Sequence, residues 1–283
     1  MTRKSIFVNS VFWVFFLLFL IGCDKDINNV DTGTLRIKLT DAPFPIDMVS
    51  EANVTINKIE IRQESSQAGE NPFLVLTEEE LGYNLLDLQN GITADLAEIE
   101  IPVGDYNLLR LYVSAANIIL TDGTVYDLTI PSGAQTGIKI FVEPAIQVVG
   151  GLTTELVLDF DVSQSFIVQG NPFTPAGING FIFTPVIRAA NISTTGSISG
   201  KVIDNLAIAI VDAIIWIEDD ANTYSSFSNN EGLYTLSFIP AGTYTVYATK
   251  KTATVEYDTV SVENVEVVAG NVTALDDIVL TQQ

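Results

Sequence analysis

Asp159-Phe160-Asp161 places two carboxylates two residues apart, on one side of a strand. With Glu155 and Asp127 they could form an oxygen-rich Ca²⁺ site. Calcium loops carry denser, turn-linked acids, so the spacing favours a solvent-facing acidic surface, and Asp159 and Asp161 stay weak metal candidates. Asp41, in Leu39-Thr40-Asp41-Ala42-Pro43, could likewise help hold a cation, but an Asp before Pro at a strand end more often caps its own turn. Glu218-Asp219-Asp220 reads as an acidic loop beside Trp216. Paired carboxylates also raise glycoside hydrolysis, which needs a protonated acid facing a second carboxylate. No pair is marked as buried, so no catalytic residue is assigned, and the expectation is a non-enzyme without a cofactor. The chain has no His and one Cys, which excludes Ser-His-Asp and Cys-His catalysis, His-ligated metals and an internal disulfide.

Aromatic rings offer a second chemistry. Trp216, Tyr224, Phe227, Tyr244, Tyr247 and Tyr257 could stack on sugar rings. Trp216, Tyr234 and Tyr244 alternate with polar neighbours as core residues do. Tyr224 and Phe227, in a loop expected at residues 222–230, are therefore the free ones and the candidate ligand contacts. Lys201 and Asn271 sit near opposite ends of a sandwich-like stretch and raise an isopeptide cross-link, although the Lys201 context gives that lysine no special role. The Gly-containing run Pro131-Ser132-Gly133-Ala134-Gln135-Thr136-Gly137 lacks the ending of a phosphate loop and reads as a long turn.

The first residues carry an address. Arg3 and Lys4 precede an uncharged apolar run, residues 6–22, that ends in Leu20-Ile21-Gly22 before the sole cysteine, Cys23. Basic start, apolar middle and small end are the layout of a secretory signal. The stretch is also about long enough for a transmembrane anchor, but Leu20-Ile21-Gly22-Cys23 resembles a bacterial lipobox, and that resemblance, with the lone Cys at its end, implies lipidation at Cys23, with a polar tether after it. The formal charge is −22 on 283 residues, and Arg3 and Lys4 both precede the mature part. So acidic a surface repels phosphate backbones and excludes nucleic-acid binding.

The rest must be strands that position these groups. Leu35, Ile37 and Leu39 alternate with polar residues, as do Leu109, Leu111 and Val113. Ile118-Ile119-Leu120 and Val125-Tyr126-Asp127-Leu128 flank Thr121-Asp122-Gly123-Thr124, a hairpin whose Asp-Gly supplies positive φ. Residues 153–162 and 180–189 read as further strands. Two helical turns are expected, residues 77–81 with Thr77 as N-cap and residues 94–98. Residues 63–72 and 169–179 read as loops. A new series of short strands starts at Gly196. Ile101-Pro102-Val103-Gly104-Asp105-Tyr106 is echoed by Ile239-Pro240-Ala241-Gly242-Thr243-Tyr244, which two related sandwiches would explain, as would coincidence.

The second half resembles the carboxypeptidase regulatory-like domain, a transthyretin-type sandwich. The marks are Gly200-Lys201-Val202-Ile203-Asp204, Asn230-Glu231-Gly232-Leu233-Tyr234 and Ile239-Pro240-Ala241-Gly242-Thr243-Tyr244. The first half resembles a family of uncharacterised domains in bacterial lipoproteins. Its marks include Gly33-Thr34-Leu35, Leu39-Thr40-Asp41-Ala42-Pro43, Leu86-Asp87-Leu88 and Pro131-Ser132-Gly133-Ala134-Gln135-Thr136-Gly137. Neither resemblance implies a reaction.

The expected fold class is therefore all-β: two β-sandwich domains in tandem, transthyretin/prealbumin-like or immunoglobulin-like, after a lipoprotein signal peptide. The expected divisions are a signal peptide at 1–22, the lipidated Cys and tether at 23–32, a first domain at 33–190, a linker at 191–195 and a second domain at 196–283. The expected role is a lipid-anchored envelope protein, at the outer membrane, the cell surface or the periplasmic face. It would be a non-enzymatic binding, adhesion or assembly module. The alternatives are a carbohydrate-binding accessory lipoprotein and a carboxylate-dependent hydrolase. The expected partners are the membrane, through Cys23, and glycans or other envelope proteins.

Overall fold

The protein is described, in a computed structural model, over residues 31–42, 48–65, 72–171, 174–219, 222–252 and 255–283. Cys23 and the Leu20-Ile21-Gly22 run lie outside them, as do Pro43 and Asp220. The first half forms strands β1 (Thr32–Ala42), β2 (Val49–Gln63), β3 (Phe73–Thr77), β4 (Leu81–Asn84), β5 (Ala94–Pro102), β6 (Gly104–Leu120), β7 (Val125–Asp127), β8 (Ile138–Val148), β9 (Thr153–Asp161), β10 (Phe166–Gly170), β11 (Ile178–Phe183) and β12 (Ile187–Asn191). Two single-turn helices, α1 (Ser132–Gln135) and α2 (Val162–Ser165), interrupt them. The second half forms β13 (Thr195–Asp204), β14 (Ile214–Asp219), β15 (Asn222–Phe227), β16 (Leu233–Pro240), β17 (Gly242–Thr249), β18 (Val260–Val267), β19 (Val272–Ala274) and β20 (Ile278–Leu280).

Each half closes around its own apolar cluster, so the chain is all-β and consists of two sandwiches in tandem. In the first, a sheet of order β12-β9-β1-β5 faces a sheet of order β3-β2-β6, to which β4, β7 and β8 are added; β10 and β11 pair separately. The alternating residues explain the layering: Leu35, Ile37 and Leu39 are completely buried, as are Leu109 and Leu111. The rings of Phe160, Phe166 and Phe183 pack together at one end of this core. In the second sandwich a sheet of order β16-β13-β19, with β20 also on β13, faces one of order β15-β14-β17-β18. The Asp-Gly hairpin joins β6 to β7, with Gly123 at φ +86°.

The sequence echo marks a shared frame. Strands β5-β1-β9 and β3-β2-β6-β8 of the first sandwich correspond, in order and direction, to β16-β13-β19 and β15-β14-β17-β18 of the second. In both, the Pro-x-Gly turn crosses from one sheet to the other. In both, the tyrosine after it donates back to the proline carbonyl: Tyr106 to Pro102 at 2.8 Å and Tyr244 to Pro240 at 2.9 Å. Gly33 and Gly196 open the equivalent strands against equivalent turns. A Cβ would lie 2.4 Å from the Val149 carbonyl oxygen in one case and 2.4 Å from that of Val268 in the other. Gly33→Ala and Gly196→Ala are therefore both expected to destabilise their own sandwich, by about 1–3 kcal/mol each, since backbone must move to admit the methyl. Urea unfolding of each variant checks this; a Gly196→Ala chain as stable as the parent would break the equivalence.

Several expectations are corrected. Residues 94–98 are not helical: Ala94 begins β5, because Leu96 faces the core and pairing with β1 outweighs local helix preference. Thr77 caps only a turn, accepting from Glu79 N–H at 3.1 Å, and strand resumes at Leu81. The turn expected at residues 131–137 contains α1. The strand expected over 180–189 is broken between β11 and β12, and the loop expected at 169–179 is partly strand at each end. Glu218 and Asp219 end β14 rather than forming a loop. Trp216 faces outward, half-buried, and stacks on Tyr247 at 5.4 Å, because the inward positions of β14 are Ile215 and Ile217. Register also separates Lys201 from Asn271. Ser197 pairs with Val272, which places Asn271 roughly 16 Å along the strands from Lys201 at ~3.3 Å per residue, too far for a side-chain cross-link.

Candidate interdomain binding site

The end of β1 and the end of β13 are equivalent strand positions with different fates. Asp204, eight residues after Gly196, caps its own turn by accepting from Leu206 and Ile208 N–H, both at 2.8 Å. Asp41, eight residues after Gly33, caps nothing local. Its Oδ1 accepts from Val162 N–H at 3.1 Å, 121 residues away at the start of α2. The turn role expected for Asp41 belongs to Asp204. Asp41 is instead buried, 5% exposed, and its Oδ2 has no hydrogen-bond partner. Burial, foremost, and the neighbouring Asp159 push the Asp41 carboxyl well above its usual range. Asp161 adds to the push; the Val162 N–H and the nearby Gln89 side chain oppose it.

Asp159 and Asp161 do not form a solvent-facing acidic surface. Asp161 is 4% exposed and caps α2, accepting from Gln164 N–H at 3.0 Å and from the Ser163 hydroxyl and Gln164 amide, both at 2.6 Å. Asp159 sits directly between Thr40 on β1 and Arg188 on β12 and forms an ion pair with Arg188 Nη2. Burial raises the Asp159 carboxyl, Arg188 lowers it and Asp161 raises it again, with the rise prevailing. Glu155 is paired elsewhere, with Lys38 at 3.1 Å and Arg36 at 3.7 Å. Among the described residues no group of three or more His, Cys, Asp or Glu side chains is arranged to hold a metal.

The second sandwich covers this cluster. Tyr224 lies on β15, not in a loop, and the Arg188 guanidinium stacks over its ring at 4.3 Å. Ser226 of β15 donates to Asn90 Oδ1 at 2.6 Å, tying the two sandwiches together. Phe227, also on β15, pairs with Ile214 and does not join the cluster. Two cavities flank the Arg188–Tyr224 stack. One is a polar recess of about 20 Å³ with Asp41, Asn90 and Ser225 in its wall. The other is a cleft of about 770 Å³ between β8, β12 and the second sandwich. Asp159, Arg188, Tyr224 and Phe238 wall both. Phe238 holds φ +59°, an uncommon conformation for a bulky side chain. Phe141, at the cleft, is 62% exposed.

The sequence alone led to Tyr224, Asp41 and Asp159 but not to Arg188, Asn90, Phe238 or Phe141. Arg188 had a usable signal: one of 13 basic residues, alone in the apolar stretch 186–190. A second charged group, on β2 and β6, is occupied internally. Glu60 accepts from Tyr112 at 2.8 Å and pairs with Lys58 at 2.8 Å, and Arg110 stacks on Phe73.

A family model described as "Domain of unknown function (DUF4382)" matches residues 32–185, and the carboxypeptidase regulatory-like domain matches residues 197–281. No curated protein matches the chain. Among solved structures, a cohesin–X-dockerin complex from Acetivibrio cellulolyticus, a C-terminal interface mutant, is similar at 26% identity over 30% of this chain, with TM-score 0.24; the chain spans 56% of that one. BcpA, the major pilin subunit of Bacillus cereus, is similar at 10% identity over 89% of this chain and 71% of its own, with TM-score 0.25. The shaft pilin SpaA of Lactobacillus rhamnosus GG is similar at 9% identity over 88% and 98%, with TM-score 0.26. At such TM-scores nothing about function passes from these proteins to this chain.

Proposed function

We propose that this chain, which belongs to the family of the domain of unknown function (DUF4382), is a non-enzymatic envelope module that is lipid-anchored at Cys23 and binds its partner in the cleft between its two sandwiches. The observation that carries the reading is that cleft. Its volume, about 770 Å³, lies within the ~300–1,000 Å³ of ligand sites, and both sandwiches wall it. The carboxypeptidase regulatory-like half is then more than a spacer, because Tyr224 and Phe238 belong to the site. Lys139, Glu143 and Asp219 give the cleft charges of both signs.

The hydrolase alternative has one point in its favour, a buried carboxyl raised in the Asp41 position. Access is against it. The recess at Asp41 holds one water-sized group, too little for a bond between two sugar rings, and Asp159 is occupied by Arg188.

Two measurements test the proposal. Cys23→Ala is expected to move the protein from the membrane fraction to the soluble one, since a thioether-linked lipid would be its anchor; unchanged partitioning would refute the anchor. Amide exchange of the full chain in mild detergent, with and without envelope extract, is expected to show protection at residues 139–144 and at Ile187–Asn191. Uniform exchange across the chain would refute binding in the cleft. Protease added to intact cells then decides between the surface and the periplasmic face.

A further inference from the structure

We infer that the partner in the cleft is a neutral saccharide, one of whose hydroxyl groups enters the polar recess between Asp41 and Arg188. This rests on the cleft being the binding site. The recess has two buried polar atoms without partners, Asp41 Oδ2 and Arg188 Nη1. Both residues are in its wall, and its volume of about 20 Å³ admits one water-sized group. Arg188 Nη1 can only donate. A carboxylate oxygen can only accept, and a protonated one also donates. A hydroxyl satisfies both residues whatever the state of Asp41, because its oxygen accepts while its proton donates. A cation would meet the guanidinium, and an anion would meet Asp159 and Asp161 against the single charge of Arg188. Water fits the recess by itself, and a sugar hydroxyl replaces it group for group.

The adjoining cleft suits the rest of such a ligand. Phe141 presents an exposed ring, Asn191 and Asn222 offer amides, and Glu143 and Asp219 oppose acidic sugars. Asp159, Arg188, Tyr224 and Phe238 wall both recess and cleft, so a ligand in the cleft lies directly beside the recess.

The full chain in mild detergent is titrated calorimetrically with neutral pentasaccharides (cello-, xylo- and mannopentaose) and with an anionic galacturonate oligomer. At least one neutral sugar is expected to bind saturably, and the anionic one is not. Phe141→Ala, at an exposed position, and Ser237→Val, whose side chain on the edge strand β16 faces Gly91 in the recess wall, are each expected to weaken that binding about tenfold. Circular dichroism confirms that both variants fold. Tighter binding of the galacturonate overturns the inference. So does binding that Phe141→Ala weakens and Ser237→Val leaves unchanged, because the recess then holds water only. If no sugar binds but envelope extract protects residues 139–144, the cleft remains a binding site and the saccharide is wrong. If neither occurs, the cleft reading itself fails.

Discussion

Arg188→Ala is expected to destabilise the chain by about 3–5 kcal/mol, because it leaves the Asp159 charge buried and unpaired. The pair is mostly shielded, with the Arg188 side chain 18% and the Asp159 side chain 14% exposed. Asp159 already has Asp161 as a like-charged neighbour, and no other basic side chain pairs with it among the described residues. The stack on Tyr224 is lost as well, which loosens the contact between the sandwiches. Arg188→Lys keeps the charge but not the planar face, and should fall between parent and alanine. The deficit should shrink on acidification. The folded pKa of Asp159 is raised, so its carboxylate takes up a proton as the pH falls through that value and the unpaired charge disappears. Urea unfolding of the detergent-solubilised chain at neutral and acidic pH reads both effects. A loss below about 1 kcal/mol would mean that the pair behaves as an exposed one.

That prediction could not have come from the sequence. Period-2 alternation correctly found β1 and β6, because an apolar residue at every second position has one solution in a sandwich, and the Ile-Pro-x-Gly-x-Tyr echo found the shared turn. The same alternation is silent on whether the other face meets water. Asp159 and Asp161 read as exposed in the sequence because nothing local says that β12 and then a second domain cover them. Arg188 lies 29 residues from its partner, and Tyr224 lies a further 36 along. Asp41 reads as a turn cap because an Asp with a Pro at a strand end commonly caps its own turn, and Asp204, at the equivalent place, does cap one. What separates the two is where the next backbone N–H lies, at Leu206 for Asp204 and at Val162 for Asp41. Residues 94–98 show the opposite failure, in which a short Ala- and Leu-containing stretch carried helix preference that sheet pairing overrode. Strands were legible; the long-range partners that make a site were not.

The sharpest consequence of those partners is Asp41→Asn. The amide keeps the oxygen that accepts from Val162 N–H but cannot ionise, so the variant should be more stable than the parent at pH 7, by about 1–3 kcal/mol. The sign follows from the raised pKa. Below the unfolded value, near 3.8, Asp41 is protonated in both states and the substitution is close to neutral. As the pH rises, the unfolded chain releases the proton first. The folded chain must either hold it or carry a carboxylate buried beside Asp159 and Asp161, so the stability of the parent falls through the folded pKa. Arg188 moderates this fall without abolishing it, because its Nη2 is already committed to Asp159. The gap between variant and parent should therefore open as the pH rises from the unfolded value toward the raised folded one, the reverse of the usual behaviour of a salt-bridged aspartate. Melting temperatures across that range check it. A variant less stable than the parent at pH 7 would show that Asp41 is ionised and favourably held beside Arg188.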